Sequence, residues 1–237
     1  YTSEWEKTVT RQARWVDFEN DYKTMDPAYM ESVMWAFKQL WEKGLIYEAF
    51  RVMPYSWGAE TPLSNFEIRL DDATRPRQDP AITVAFDLVP VDDDPGPMQI
   101  LAWTTTPWTL PSNLALAVGP DVDYSMRANS DGTVLLVGAE AVERYASQLA
   151  DTIEIGTCTG NDLVGRAYVP LFDFFIDRED AFRILAADFV DANDGTGVVH
   201  MAPGFGEDDQ LSCEAAGIPI GRVVPVQTRL AALIAAH

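Results

Sequence analysis

Cysteine, histidine and lysine are scarce in this chain, and each scarcity closes off a class of chemistry. The two cysteines, Cys158 and Cys213, form no C-x-x-C or metal-ligand spacing, so neither a disulfide framework nor a thiolate metal site is expected. A reducing cytoplasm is the setting that this cysteine usage implies. Only His200 and His237 carry imidazoles, which leaves no histidine pair for a zinc site. All four lysines lie at or before Lys43. No apolar run approaches the ~20 residues that span a bilayer, so no membrane segment is expected. The opening "YTSEWEKTV" lacks the basic and apolar regions of a secretory signal, and its first residue is not methionine, as expected of a segment from within a longer protein. The G-x-S-x-G elbow, the Walker A loop, G-x-G-x-x-G and H-E-x-x-H are all absent.

What is present suffices for a sizeable core. The 237 residues are 47% hydrophobic and 11% aromatic, which excludes general disorder and suits one large domain with an attached segment. The formal net charge is −20, unevenly spread. Residues 1–80 hold 14 acidic and 10 basic groups, whereas residues 81–237 hold 23 and 7. So acidic a second part repels polyanions, and any nucleic-acid partner has to be reached in spite of it.

The chain changes character near residue 75. Before it, Asp26 and Pro27 make a helix start, and Met30, Val33, Met34, Phe37, Leu40 and Trp41 recur at helical spacing up to a stop at Gly44. That stripe is read as core. "LIYEAFRVMPYSW" follows as an extended run, and "DDATRPRQDP" (71–80) has the charge and prolines of a crossing between domains. Beyond it come short candidate strands: "ITVAFDLV", "QILAW", "LALAV", "TVLLV", "TIEI", "AYVPLFDFF", "FRILAADFV" and "GVVHMA". Separated by turns such as "DDDPGP" and "NSDG", they predict a barrel-like β domain. Helices are expected at 139–150 and 207–217 within it, giving an α+β fold.

Two stretches carry the chemistry. "LAWTTTPWTLPSN" sets Thr104, Thr105, Thr106 and Thr109 on backbone stiffened by Pro107 and Pro111. Short hydroxyl side chains either bond their own backbone or offer donors and acceptors to a ligand. "DGTGVVHMAPGFGEDD" runs from a glycine turn through His200 to Glu207, Asp208 and Asp209 at a helix start. The three carboxylates suit the helix dipole, and His200 taken alone reads more readily as a satisfied core residue than as a catalyst.

Together these stretches resemble the editing domain of the isoleucyl-tRNA synthetases, an insertion in a class I catalytic fold. "RWVDFENDYKTMDPAYMESVMWAFKQLWEKGLIYEAF" resembles the catalytic segment before that insertion, and its "ESVMWAFKQL" wording is closest to the eukaryote-like branch. The resemblance implies three parts: a helical segment and linker derived from a Rossmann-type catalytic domain at 1–75, a β-barrel-like editing domain at 76–220, and a divergent tail at 221–237. It implies hydrolysis of valine mischarged onto isoleucine tRNA, with the CCA end of that tRNA as partner, bound weakly by so acidic a chain. Thr104, Thr105, Thr106, His200 and Asp209 are then the expected catalytic set. Trp103, Thr109, Gly206 and Asp209 are the expected substrate-binding set, with Asp209 holding the substrate ammonium. Editing calls for no cofactor or metal. ATP belongs to the full-length synthetase, whose HIGH and KMSKS motifs are missing here. The alternative is an inactive fragment, or a binding module that keeps the fold.

Overall fold

The computed structural model describes residues 1–56, 58–76 and 78–220. The divergent tail expected at 221–237 lies outside the described residues. Contacts divide the chain into two units, Tyr1–Phe50 and Arg51 onward.

The first unit holds helices α1 (Thr2–Arg11) and α2 (Pro27–Glu42). Asp26 is the N-cap residue of α2 and Pro27 occupies its first turn, where a missing N–H costs nothing. The helix stops as the sequence predicts. Gly44 takes a φ of +68°, its N–H bonds Trp41 O at 2.9 Å, and the N–H of Leu45 bonds Leu40 O at 3.1 Å. This is the paired closure that a glycine just past a helix end permits. The expected core role of the stripe is not met: no residue of α2 is buried, and Met34 and Trp41 are 72% and 61% exposed. Two helices supply no second layer within this unit against which an amphipathic face could be buried.

In the second unit, β1 (Tyr55–Ser56) and β2 (Thr61–Pro62) form a small antiparallel pair. The residues before Tyr55, expected to be extended, join no ladder. An eight-stranded sheet follows, built from β3 (Ile82–Asp87), β4 (Met98–Thr104), β5 (Ala115–Val118), β6 (Asp123–Ala128), β7 (Val134–Gly138), β8 (Ile153–Thr159), β9 (Arg183–Ala186) and β10 (Val198–Met201). Its order is β8-β6-β7-β4-β10-β5-β9, with β3 on the other edge of β4. The fold is α+β, with a curled and open sheet. Two isolated bridges, Ala167 to Arg183 and Tyr168 to Leu88, reach from β9 toward the end of β3.

Burial follows strand periodicity. Along β4, Met98, Ile100, Ala102 and Thr104 are buried while the residues between them are half-buried. Strand β5 is buried throughout, as its unbroken "ALAV" requires. Phe86, Ile100, Leu116, Leu136, Ile184 and Met201 have no exposed surface, and each such side chain contributes roughly 1.5–3 kcal/mol by leaving water.

Three expectations for this domain need correction. Strand β6 was hidden by its polarity. Its Ser125 bonds Glu154 at 2.9 Å and its Arg127 bonds Thr152 at 2.8 Å, so polar side chains sit satisfied inside the sheet. "AYVPLFDFF" is not a strand: Pro170 cannot donate to a ladder, and a single 3₁₀ turn follows at Asp173–Phe175. The helix expected at 139–150 is a 3₁₀ turn, Ala139–Ala141, followed by irregular turns. There, bonds three and four residues long alternate because Ala141 and Leu149 pack on Val137, Leu101 and Leu135, and packing overrides helix propensity. The predicted helix α4 is present as Glu207–Ala215, and a one-turn helix, α3 (Gly160–Leu163), was not expected.

Candidate functional site

Sheet pairing brings the two chemical stretches together. Parallel pairing sets Val199 of β10 opposite Trp103 of β4, where the threonine run begins. On its other side β10 pairs with β5, with His200 opposite Leu116. The threonine loop leaves β4 and turns into a 3₁₀ helix, Pro107–Ser112, while β10 leads through the Pro-Gly-Phe-Gly loop into α4. Between them lies a cleft of about 490 Å³, lined by Trp103, Thr104, Thr105, Thr106, Thr109, His200, Gly206 and Asp209. Every site residue expected from the sequence therefore borders one cavity.

The threonines are not equivalent. Buried Thr104 accepts the N–H of Thr106 on its hydroxyl at 3.0 Å, and the hydroxyl of buried Thr109 donates to Thr106 O at 2.8 Å. The Thr106 hydroxyl lies 3.3 Å from that of Thr104 and 3.4 Å from that of Thr109. These three hold one another, which is the local satisfaction that short hydroxyl side chains favour. Thr105 is exposed, and its hydroxyl has no partner among the described residues.

His200 is 6% exposed and bonded at both ring nitrogens: Nε2 lies 2.8 Å from Thr109 Oγ1, and Nδ1 lies 2.9 Å from Asn113 Nδ2. Burial lowers its pKa to about 4, so the ring is neutral at physiological pH. No free ring nitrogen faces the cleft as a general base would require.

Asp209 stands at the third position of α4 and is half-buried. Its Oδ2 accepts the N–H of Ala202 at 2.7 Å. Burial raises its pKa, the Ala202 N–H opposes that shift, and the charge of Asp208 adds to it. Gly206 makes room for this carboxylate, since a Cβ at Gly206 would stand 2.9 Å from Asp209 Cγ. Glu207 and Asp208 point to solvent at the helix start, where the dipole favours them.

Trp103 rests on the glycine turn before β10. Gly195 has a φ of +52°, and a Cβ there would come within 2.7 Å of the indole. The lining includes Asp191 and Asp194 beside Asp209, and no lysine or arginine. Such a surface suits a cation or a neutral hydrogen-bonding group and disfavours phosphate. No group of three or more histidine, cysteine or carboxylate residues converges as a metal site would require, among the described residues.

Three contributors were not singled out from the sequence. Asn113 bonds His200, Tyr168 bonds Asn113 in turn, and Gly195 lies against Trp103 in the cleft lining; Asn113 and Gly195 fall within the two chemical stretches, whereas Tyr168 falls in neither. No helix among the described residues is long and apolar enough to cross a membrane.

Comparison with known proteins adds a family. The family described as "tRNA synthetases class I (I, L, M and V)" matches residues 1–202. The chain is 56% identical over 234 residues to isoleucine–tRNA ligase of Rickettsia peacockii, covering 95% of this chain and 21% of that protein. It is 54% identical over 233 residues to isoleucine–tRNA ligase of Mycobacterium tuberculosis, covering 97% and 22%. The chain thus spans about a fifth of the length of the curated relatives it matches. Among solved structures, the crystal structure of GlLeuRS-CP1 is 18% identical with a TM-score of 0.49, over 62% of this chain and 68% of that one. The P. falciparum cytosolic leucyl-tRNA synthetase editing domain is 15% identical with a TM-score of 0.41, over 51% and 46%.

Proposed function

We propose a function on one premise: the chain belongs to the class I tRNA synthetase family (I, L, M and V). We infer that its cleft hydrolyses the aminoacyl ester of a mischarged tRNA, and that the ester is valine on isoleucine tRNA. The curled sheet of 76–220 is then a barrel-like editing domain of the valyl, isoleucyl and leucyl type, working in the cytoplasm. Residues 1–75 are then a segment of the catalytic domain. A synthetase needs such a site because one methylene in a hydrophobic pocket discriminates by only ~1–3 kcal/mol, isoleucine against valine being the standing example.

The observation that carries this reading is the meeting of the threonine loop and Asp209 in one cleft whose lining has no lysine or arginine. An aminoacyl ester presents an ammonium, a carbonyl and ribose hydroxyls. Asp209 holds the ammonium through a charge-assisted bond, for which its Oδ1 has no competing partner among the described residues. Thr105 offers a free hydroxyl to the terminal adenosine or the ester, and Thr104, Thr106 and Thr109 fix the loop that presents it. Trp103 supplies a flat wall. Gly206 keeps the backbone low beneath the carboxylate. His200 shapes the cleft and excludes the larger isoleucyl side chain. The attacking water is activated by the terminal hydroxyl of the tRNA, since His200 has no nitrogen to spare.

The acidic surface leaves most tRNA contact to other parts of a synthetase, so binding by this chain is weak and falls with salt. The test is deacylation of Val-tRNA(Ile) and Ile-tRNA(Ile) at one fixed salt concentration. Loss of the valyl ester with retention of the isoleucyl ester is expected, and His200→Ala is expected to release both. Hydrolysis of the valyl ester no faster than in buffer overturns the reading.

A further inference from the structure

The ring proton of His200 is assigned from behind the cleft. Asn113 meets Nδ1 of the ring, and its own orientation is held by three other groups. Its Nδ2 lies 2.8 Å from Ala115 O and 3.4 Å from Met201 O, acceptors that only the amide nitrogen can face. Its Oδ1 accepts the Tyr168 hydroxyl at 2.6 Å. Turning the amide over would set oxygen against two carbonyl oxygens and would set an NH₂ group against the phenol. An amide nitrogen only donates, so Nδ1 of His200 is the acceptor and the proton sits on Nε2. Nε2–H then donates to Thr109 Oγ1, whose own proton goes to Thr106 O at 2.8 Å. Every bond from Tyr168 to Thr106 runs in one direction.

We propose that Asn113, clamped by the buried Tyr168, locks His200 in its Nε2–H tautomer and makes the imidazole a hydrogen-bond donor that fixes the threonine loop. Asn113 and Tyr168 are positioning residues. Neither lines the cleft, and they are 5% and 2% exposed. With the opposite tautomer, Nε2 would accept the Thr109 proton and Thr106 O would keep only the Thr109 N–H at 3.0 Å, loosening the start of the 3₁₀ helix next to Thr105. The tautomer lock stands on this geometry alone, whereas its effect on rate rests on the editing reading above.

The scarcity of histidine makes the lock measurable. In the full chain labelled with ¹⁵N-histidine, long-range ¹H–¹⁵N correlation at neutral pH reports two rings, and His237→Gln identifies the second. Wild type is expected to show His200 neutral with its proton on Nε2. Tyr168→Phe keeps the ring that packs edge-on to Phe86 and Phe182 but removes the clamp. Its two ring-nitrogen resonances should move toward each other as the tautomers mix. In the same variant kcat for the valyl ester should fall about five- to tenfold, the value of one hydrogen bond, with KM unchanged. Asn113→Asp, which sets an acceptor against Nδ1, should move the proton to Nδ1. If Asn113→Asp does not fold, wild type and Tyr168→Phe decide the matter. A wild-type ring that is charged or protonated on Nδ1 overturns the lock, and an unchanged tautomer in Tyr168→Phe overturns the part given to Tyr168, because the Ala115 and Met201 carbonyls then hold the amide without it. A shifted tautomer with unaltered kcat overturns the positioning role. A locked tautomer in a chain without deacylase activity leaves the lock standing and sinks the editing reading.

Discussion

His200 Nε2 lies 2.8 Å from Thr109 Oγ1, a buried bond between residues 91 apart in the sequence. It ties the wall built from β10 to the wall built from the threonine loop. Thr109→Val keeps the shape and removes the hydroxyl, leaving a ring N–H buried without a partner. Urea denaturation should register a loss of about 1–3 kcal/mol, whereas Thr109→Ser should lose about 1 kcal/mol or less. Equal midpoints for the Thr109→Val variant and wild type would mean that the bond contributes nothing.

Charge at Asp209 is separable from its shape. Asp209→Asn can still accept the Ala202 N–H but offers no anion to an ammonium. Hydrolysis of Val-tRNA(Ile) is expected to fall roughly ten- to a hundredfold, the cost of a charge-assisted bond. Asp208→Asn, one position earlier and exposed to solvent, should retain the wild-type rate within about twofold. Equal losses in the two variants would assign the effect to the general acidity of the helix start.

Gly206→Ala tests placement rather than charge. The backbone at Gly206 has a φ of −135°, which any residue adopts, so the fold should survive. The new Cβ would stand 2.9 Å from Asp209 Cγ, and the carboxylate has to turn aside. A Tm within a few degrees of wild type together with a clear loss of valyl-ester hydrolysis is the expected pair of results. Full activity would place the ammonium elsewhere.

Acid sensitivity should centre on His200. Burial lowers its pKa from 6.5 to about 4, so the unfolded chain binds more protons at this position across that interval. Stability contributed by the neutral ring is complete above pH 6.5 and is lost as pH falls toward 4, a change on the order of 3 kcal/mol. Denaturant midpoints measured over this range should slope downward with acid, and His200→Gln should flatten the slope. An unaltered slope in that variant would move the effect to other groups.

How much of this was legible depends on whether chemistry left a mark in the local pattern. The threonine loop, His200, Gly206 and Asp209 lie in two short stretches whose residue types are unusual for plain strands, and the structure sets all of them around one cleft. Most strands were visible because β4 and β5 announce their burial by period and by unbroken apolarity. Strand β6 was not, since its Ser125 and Arg127 are satisfied across the sheet rather than by solvent. Tyr168 looked like part of an apolar strand, and its role exists only through a bond to Asn113, 55 residues away. The turn at 139–150 has good helix formers, and only its packing against β4 and β7 shows why they do not form one. In α2 the amphipathic pattern correctly marked a helix, but periodicity does not say whether a covering layer lies in the same unit.

The order in which the strands are made has its own consequence. One edge of β4 is taken by β3 over its length, while β7 covers the other edge only at Met98–Ile100. The remaining stretch toward Trp103 waits for β10, which lies almost a hundred residues further along. On a ribosome, the nascent domain therefore carries a partly unpaired, apolar strand end through most of its synthesis. Such an edge is a template for wrong pairing, and long-range closure of this kind is slow. Chaperone engagement should be greatest while the segment between β7 and β10 is emerging, and should end when Val199 reaches Trp103.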